Sequence, residues 1–145
     1  MKQNILKVLT IFLLAISCNK ESDNETVPED LIGNWKLSHI WNHDGANGNV
    51  IPVSEENSFV ISFTKNLTYL FPNLPPSCQE GSYVSGVDFE NNSLLILSPF
   101  GSECVLSEIR FNYSIIDNNK LSLSSTDTNC DEGCFSIFDK IDNVN

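Results

Sequence analysis

Five cysteines are the residues of this chain best equipped for covalent chemistry: Cys18, Cys78, Cys104, Cys130 and Cys134. A thiol can carry a lipid, pair in a disulfide or ligate a metal, and spacing and compartment decide among these. His39 and His43 stand four residues apart in a stretch that alternates apolar and polar residues. On a strand that spacing separates them by about 13 Å, too far for both to chelate one ion directly. His39, between Trp35 and Trp41, is placed either to hydrogen-bond a ligand in a cavity or to meet a backbone partner. The acidic pairs Glu55-Glu56 and Asp131-Glu132 lack the spacing of a calcium loop. Serines are plentiful, but no Gly-x-Ser-x-Gly occurs and neither histidine is placed by sequence beside a nucleophile. No catalytic group, metal site or cofactor is expected, and the chain reads as non-enzymatic.

Cys18 is set apart by what precedes it. Lys2 and Lys7 give a positive start, Val8 to Ile16 an uncharged apolar core, and Ser17 a small residue before the cysteine. The core is too short for a membrane span of about 20 residues, so residues 1–17 read as a cleaved signal. Leu14-Ala15-Ile16-Ser17-Cys18 resembles the bacterial lipobox. The resemblance implies a thioether-linked diacylglycerol on Cys18 and acylation of its freed amine, which makes the membrane a partner. Two or three chains anchor stably where one does not. Residues 18–30 then form an acidic tether, with Glu21, Asp23, Glu25, Glu29 and Asp30 and little apolar content. Lys20-Glu21-Ser22-Asp23 partly resembles the acidic surface-export signals of Bacteroidetes lipoproteins.

Of eight Lys/Arg, Lys2 and Lys7 leave with the signal, so six face nineteen Asp/Glu and the mature charge is −13. Such a surface repels nucleic acid and anionic headgroups, and nucleic acid is excluded as a partner. With Cys18 lipidated, Cys78, Cys104, Cys130 and Cys134 remain, an even number in an oxidising compartment, which favours two disulfides. Four thiols could hold zinc, but the only close pair, Cys130 and Cys134, is not a C-x-x-C knuckle.

From residue 31 onward the apolar pattern has period two and no helical stripe. Eight strands are expected, at roughly 34–43, 58–64, 67–72, 82–90, 93–98, 104–116, 120–125 and 134–141. In the first, Trp35, Leu37, His39, Trp41 and His43 share a face, with Ile40 as the exception. Asparagine-rich turns at 65–66, 91–92 and 117–120 suit hairpins. Eight short strands joined by hairpins predict an all-β, antiparallel up-and-down barrel, which leaves no exposed edge. Tight turns alternate with the loops 44–57, 73–81, 99–103 and 126–133, so all the long loops crowd one end. The four remaining cysteines fall in or beside those loops. Three connectivities are open, of which Cys78–Cys104 with Cys130–Cys134 is preferred. The first strand starts at the tight-turn end, which points the long-loop mouth away from the anchoring membrane.

Leu31-Ile32-Gly33-Asn34-Trp35-Lys36-Leu37 resembles the Gly-x-Trp opening of the lipocalin-like fold. With the lipobox, the acidic linker and eight strands, about residues 31–141 of a barrel domain spanning 31–145 are similar to the lipocalin-like lipoproteins of Bacteroidetes. The resemblance implies a tryptophan plugging the closed end, a barrel that binds a ligand, and residence at the outer membrane, on its periplasmic or surface face. Lys140 stands where a lipocalin often has an arginine over the tryptophan, and no C-terminal helix follows. Trp41, Phe59, Phe63, Tyr69, Phe89, Phe111 and Tyr113 are expected to face inward, either filling the barrel or lining a cavity for one small apolar ligand. The candidate ligand-binding residues are His39, Trp41, Phe63, Tyr69, Phe111 and Tyr113. A non-enzymatic protein-binding rim around Phe71 to Pro76 and Pro99-Phe100 is the alternative.

Overall fold

A computed structural model describes residues 28–43, 48–117, 119–126 and 134–141, with the side chains of Asn42 and His43 left out. The signal and Cys18, the tether up to Val27, and Cys130 lie outside these residues, as do both histidine–histidine geometry and the lipid site. Nine strands run in order: β1 Gly33–His43, β2 Gly48–Pro52, β3 Val60–Phe63, β4 Thr68–Leu70, β5 Glu80–Val87, β6 Ser93–Pro99, β7 Ile109–Ile116, β8 Lys120–Ser125 and β9 Phe135–Ile141. All neighbours are antiparallel, and β9 returns to β1 along residues 34–40, which closes an eight-stranded up-and-down barrel from β1 and β3 to β9. Alternation fills its interior with Ile61 and Phe63 on β3, Leu95 and Leu97 on β6, Leu121 and Leu123 on β8, and Phe138 on β9.

The tight-turn end is plugged by the chain entering it. A short 3-10 turn, Glu29–Leu31, buries Leu31 completely, and the fully buried Trp35 donates its indole N–H to the Leu31 carbonyl at 2.8 Å. Lys140, opposite Trp35 in the β1–β9 register, lays its ammonium 4.9 Å from the indole centroid and donates to the Asp30 carbonyl at 3.2 Å. A lysine thus occupies the place of the arginine the resemblance implies. Gly33 has φ +139°, and a Cβ there would sit 3.1 Å from Lys140 Cε, so the motif needs glycine for both backbone and space.

Four expectations are corrected. The first strand does not keep one face: the register against β9 shifts between Leu37 and His39. This bulge at Ser38 inserts one residue, so Ile40 turns inward and His39 leaves the inward face. The apparent exception of Ile40 was the trace of that bulge. Second, the stretch 44–57 contains β2, paired with β1 residues 39–43 on the edge that β3 uses lower down at 33–36. Third, the 82–90 strand ends at Val87. The Asp88 carboxylate accepts hydrogen bonds from the Glu90 and Asn92 backbone amides, at 2.8 Å each, and folds 88–92 into a turn with Asn91 at φ +64°. Phe89 rides on that turn 95% exposed instead of facing inward. Fourth, the 104–116 strand starts only at Ile109; Cys104 is tied to Cys78, and Val105, within the expected strand, is 97% exposed.

Candidate functional site

The long-loop end holds a cleft of about 310 Å³ that reaches into the barrel. Its shape follows from strand length. β3 has four residues and β4 three, against eleven in β1 and eight in β7, so the upper wall on their side is made of loops. From that side come Phe59, Phe71, Asn73 and Leu74. The opposite wall is strand: Ile40 and Trp41 from β1, Phe111 from β7, Leu123 and Ser125 from β8, Phe135, Ser136 and Phe138 from β9.

The loop wall is braced. Cys78 and Cys104 form a disulfide that joins the 71–79 and 100–108 loops, the first of the pairs preferred from sequence. Gln79 donates from its side-chain amide to the carbonyls of Pro72 and Leu74, at 2.9 and 3.0 Å, and its own carbonyl accepts from Phe71 N at 2.7 Å. Tyr69, buried behind this loop, donates its hydroxyl to the Cys78 carbonyl at 2.9 Å, and burial pushes its pKa up to about 12. Cys134, just before β9, is also disulfide-bonded, while Cys130 is outside the described residues.

Aromatic rings dominate the lining. Trp41 stacks on Phe135, with centroids 5.2 Å apart and planes at 26°. Phe71 stacks on Phe111 at 5.8 Å and 26°, and Phe59 meets Phe138 edge-on at 5.9 Å. The indole of Trp41 lies over Gly48 of β2, where a Cβ would fall 1.9 Å from Cζ2, so only glycine lets the ring lie there. Among the described residues, no acidic or basic side chain lines the cleft. Among the described residues, the Trp41 indole N–H is buried without a partner, a situation that costs about 1–3 kcal/mol.

Two of the six candidate residues, Trp41 and Phe111, line this cleft. Phe63 and Tyr69 are 2% and 3% exposed and pack into the solid part of the barrel, Phe63 edge-on to Tyr83 at 5.1 Å. Tyr113 is part of the layer packed against that core, and it also borders a shallow polar depression with Ser114, Ser122 and Ser124. His39 is absent from the lining, and its Nδ1 lies 3.0 Å from the Ser38 hydroxyl. Phe71, Leu74, Phe135 and Phe138 were not among the candidates. Phe135 and Phe138, three apart, cannot share a strand face. Both reach the cleft because Phe138 points into the barrel while Phe135 leans across the rim onto Trp41.

Near the bulge, Ser38, His39 and Asp139 come together. The Lys120 ammonium, 2.7 Å away, is the chief cause holding the Asp139 carboxyl below the usual carboxylate value; the Ser38 hydroxyl and the His39 charge add to it. A nucleophilic relay needs histidine between serine and carboxylate. Here the serine stands between the other two, and its hydroxyl also donates to the Ile137 carbonyl at 3.2 Å. The cluster ties the bulge to β9. Comparison with protein-family models, with curated proteins and with solved structures finds no match.

Proposed function

We propose that this protein is a non-enzymatic outer-membrane lipoprotein, anchored by lipid on Cys18, whose barrel takes up a small apolar ligand at its long-loop mouth. The ligand reading rests on one observation: a cleft of about 310 Å³ walled by six aromatic side chains, at the lower end of the size range of ligand pockets. A barrel of eight strands has an interior that its own side chains just fill or that admits one small molecule. Here the tight-turn half is filled and the mouth is not. The anchor reading rests on Leu14 to Cys18 and the acidic stretch behind it. Because β1 starts at the plugged end, a tether running from Cys18 into Pro28 would hold the mouth away from the membrane.

Native mass spectrometry of the full chain, isolated from the host that makes it, tests the ligand reading. A bound mass lost on mild activation is the expected result, and a bare chain that takes up no apolar compound from a mixed library would refute it. For the anchor, an alkyne analogue of palmitate should label the wild-type chain and not the Cys18→Ala variant; equal labelling of both would refute lipidation at Cys18.

A second reading has one observation in its favour. Phe100 is 66% exposed, and Val105 and Leu106 on the same braced 100–108 loop are exposed as well, apolar side chains on a rim that a protein partner could cover. Phe100→Ser with Val105→Ser should then abolish crosslinking of the chain to a specific envelope protein; an unchanged crosslinking pattern would discard this reading.

A further inference from the structure

We infer that the mouth cleft selects neutral, planar molecules of about two fused rings that carry one hydrogen-bond acceptor, and that Trp41 supplies the donor. This rests on the ligand reading above and narrows it to a chemical class. Size comes first. A cavity of about 150 Å³ holds a benzene ring, so a cleft of about 310 Å³ takes roughly twice that, a naphthalene-sized body.

Shape comes next. Trp41 on Phe135 and Phe71 on Phe111 are two ring pairs, each within 26° of parallel, and all four rings line the same cleft. Flat aromatic faces stack on flat ligands in offset geometry at centroid distances of about 4.5–7 Å. A flexible chain would leave part of those faces uncovered and would lose rotamer freedom on entry.

Charge is the third constraint. Among the described residues the polar lining consists of Asn73, Ser125 and Ser136, with no lysine, arginine or histidine. A carboxylate or phosphate drawn in would give up its hydration with no cation to meet it, in a chain whose net charge is −11. The cleft therefore rejects anions, fatty acids included.

The last constraint is the indole N–H of Trp41, buried and unpartnered among the described residues. The N–H is sealed in this packing, so a ligand oxygen meets it as the ring shifts off Gly48; such an oxygen gains a hydrogen bond and removes a standing penalty in the same step, and a ligand without one gains neither. That difference sets the specificity: about tenfold between two ligands of one shape.

Equilibrium dialysis of the full chain at pH 7 against four probes tests this: 2-acetylnaphthalene, 2-ethylnaphthalene, 2-naphthoate and 1-decanol. The first is neutral and planar with an acceptor; the others lack the acceptor, carry a charge, or lack the plane. The expected order puts 2-acetylnaphthalene about tenfold tighter than 2-ethylnaphthalene, with 2-naphthoate and 1-decanol weaker still. In Trp41→Phe, which keeps a ring and removes the N–H, the acetyl and ethyl compounds should bind equally. Naphthoate or decanol binding as tightly as the ketone would overturn the neutral planar class while leaving a ligand-binding barrel. An acetyl preference that is absent from the wild type, or that survives in Trp41→Phe, would overturn the role of Trp41. Failure of all four probes to bind would overturn the ligand reading itself.

Discussion

Removing the Cys78–Cys104 bond by the double substitution Cys78→Ala, Cys104→Ala separates what the disulfide does for stability from what it does for the cleft. The two cysteines are 26 residues apart in sequence, and in the chain-entropy account closing such a loop in the unfolded state contributes about 3.5 kcal/mol at 25 °C. Alanine is preferred to serine because Cys78 is 2% exposed, and a hydroxyl there would add a buried polar group to the comparison. Both cysteines must go together, since a lone free thiol could exchange with the disulfide at Cys134. Urea unfolding of wild type and double variant, followed by tryptophan fluorescence, measures the difference. With an m-value of about 1–3 kcal/mol/M, the midpoint should fall by roughly 1–3 M. Native-state hydrogen exchange supplies the second readout. The amides of Phe71 and Cys78, bonded to the Gln79 and Pro75 carbonyls at 2.7 Å each, should lose protection before those of β6 and β7. A stability loss below about 1 kcal/mol, with loop protection unchanged, would refute the idea that this bond holds up the loop wall.

Lys140→Met removes the cation over Trp35 and the donor to Asp30, and should cost about 1 kcal/mol in chemical denaturation, with Lys140→Arg close to neutral; equal losses in both variants would contradict the plug geometry. Gly48→Leu would drive its side chain into the Trp41 ring and should weaken uptake of 2-acetylnaphthalene at least tenfold while leaving the β5–β6 amide protection intact; unaltered uptake would show that the Trp41 position is not set by Gly48. The Asp139 carboxyl lies below its ordinary 3.8 in the folded state, so the stability it contributes is present above that value and is lost as pH falls through the lower, folded one. Carboxyl NMR titration should show the Asp139 midpoint rising in Lys120→Met, and a midpoint that stays put would remove Lys120 as the main cause.

Much of the architecture is written in the period-two pattern because a barrel wall has one wet face and one dry one. Leu95 and Leu97, or Leu121 and Leu123, announce their inward direction without help from any partner. Turns at Asn91 and Asp117 were legible for a similar reason, since asparagine and aspartate tolerate the positive φ that both adopt. Illegible features were those that depend on a second strand. A bulge is defined by two residues facing one across a ladder, and nothing local marks Ser38 as the extra residue except the misfit of Ile40. The same one-residue slip takes His39 off the face it was expected to share with Trp35 and Leu37, and so out of the cavity that was one of its two expected places. Phe89 and Val105 have strand-like neighbours, yet Phe89 lies in the turn that the Asp88 hydrogen bonds form, and Val105 follows a cysteine tied to Cys78 and lies outside the wall. The site was partly legible: Phe111 follows from alternation, Trp41 reaches the cleft at the rim through its stacking on Phe135 despite the bulge, and Phe71 and Leu74 belong to a loop whose path is set by Gln79 and the disulfide.

The two ends of the barrel solve opposite problems with the same residue types. At the tight-turn end Trp35 has its N–H bonded to Leu31, a cation over its ring and no exposure, so it is spent entirely on closure. At the mouth Trp41 has an aromatic neighbour, a glycine beneath it and an N–H without a partner among the described residues. A protein that needed only stability would gain by satisfying that donor or by lengthening β3 and β4 until the loop wall was replaced by strand. Buried polar groups left unpaired beside an apolar cavity are a cost to folding, and such costs concentrate where a binding partner later removes them. The contrast between Trp35 and Trp41 is therefore the physical reason behind the proposed ligand site at the cysteine-braced mouth.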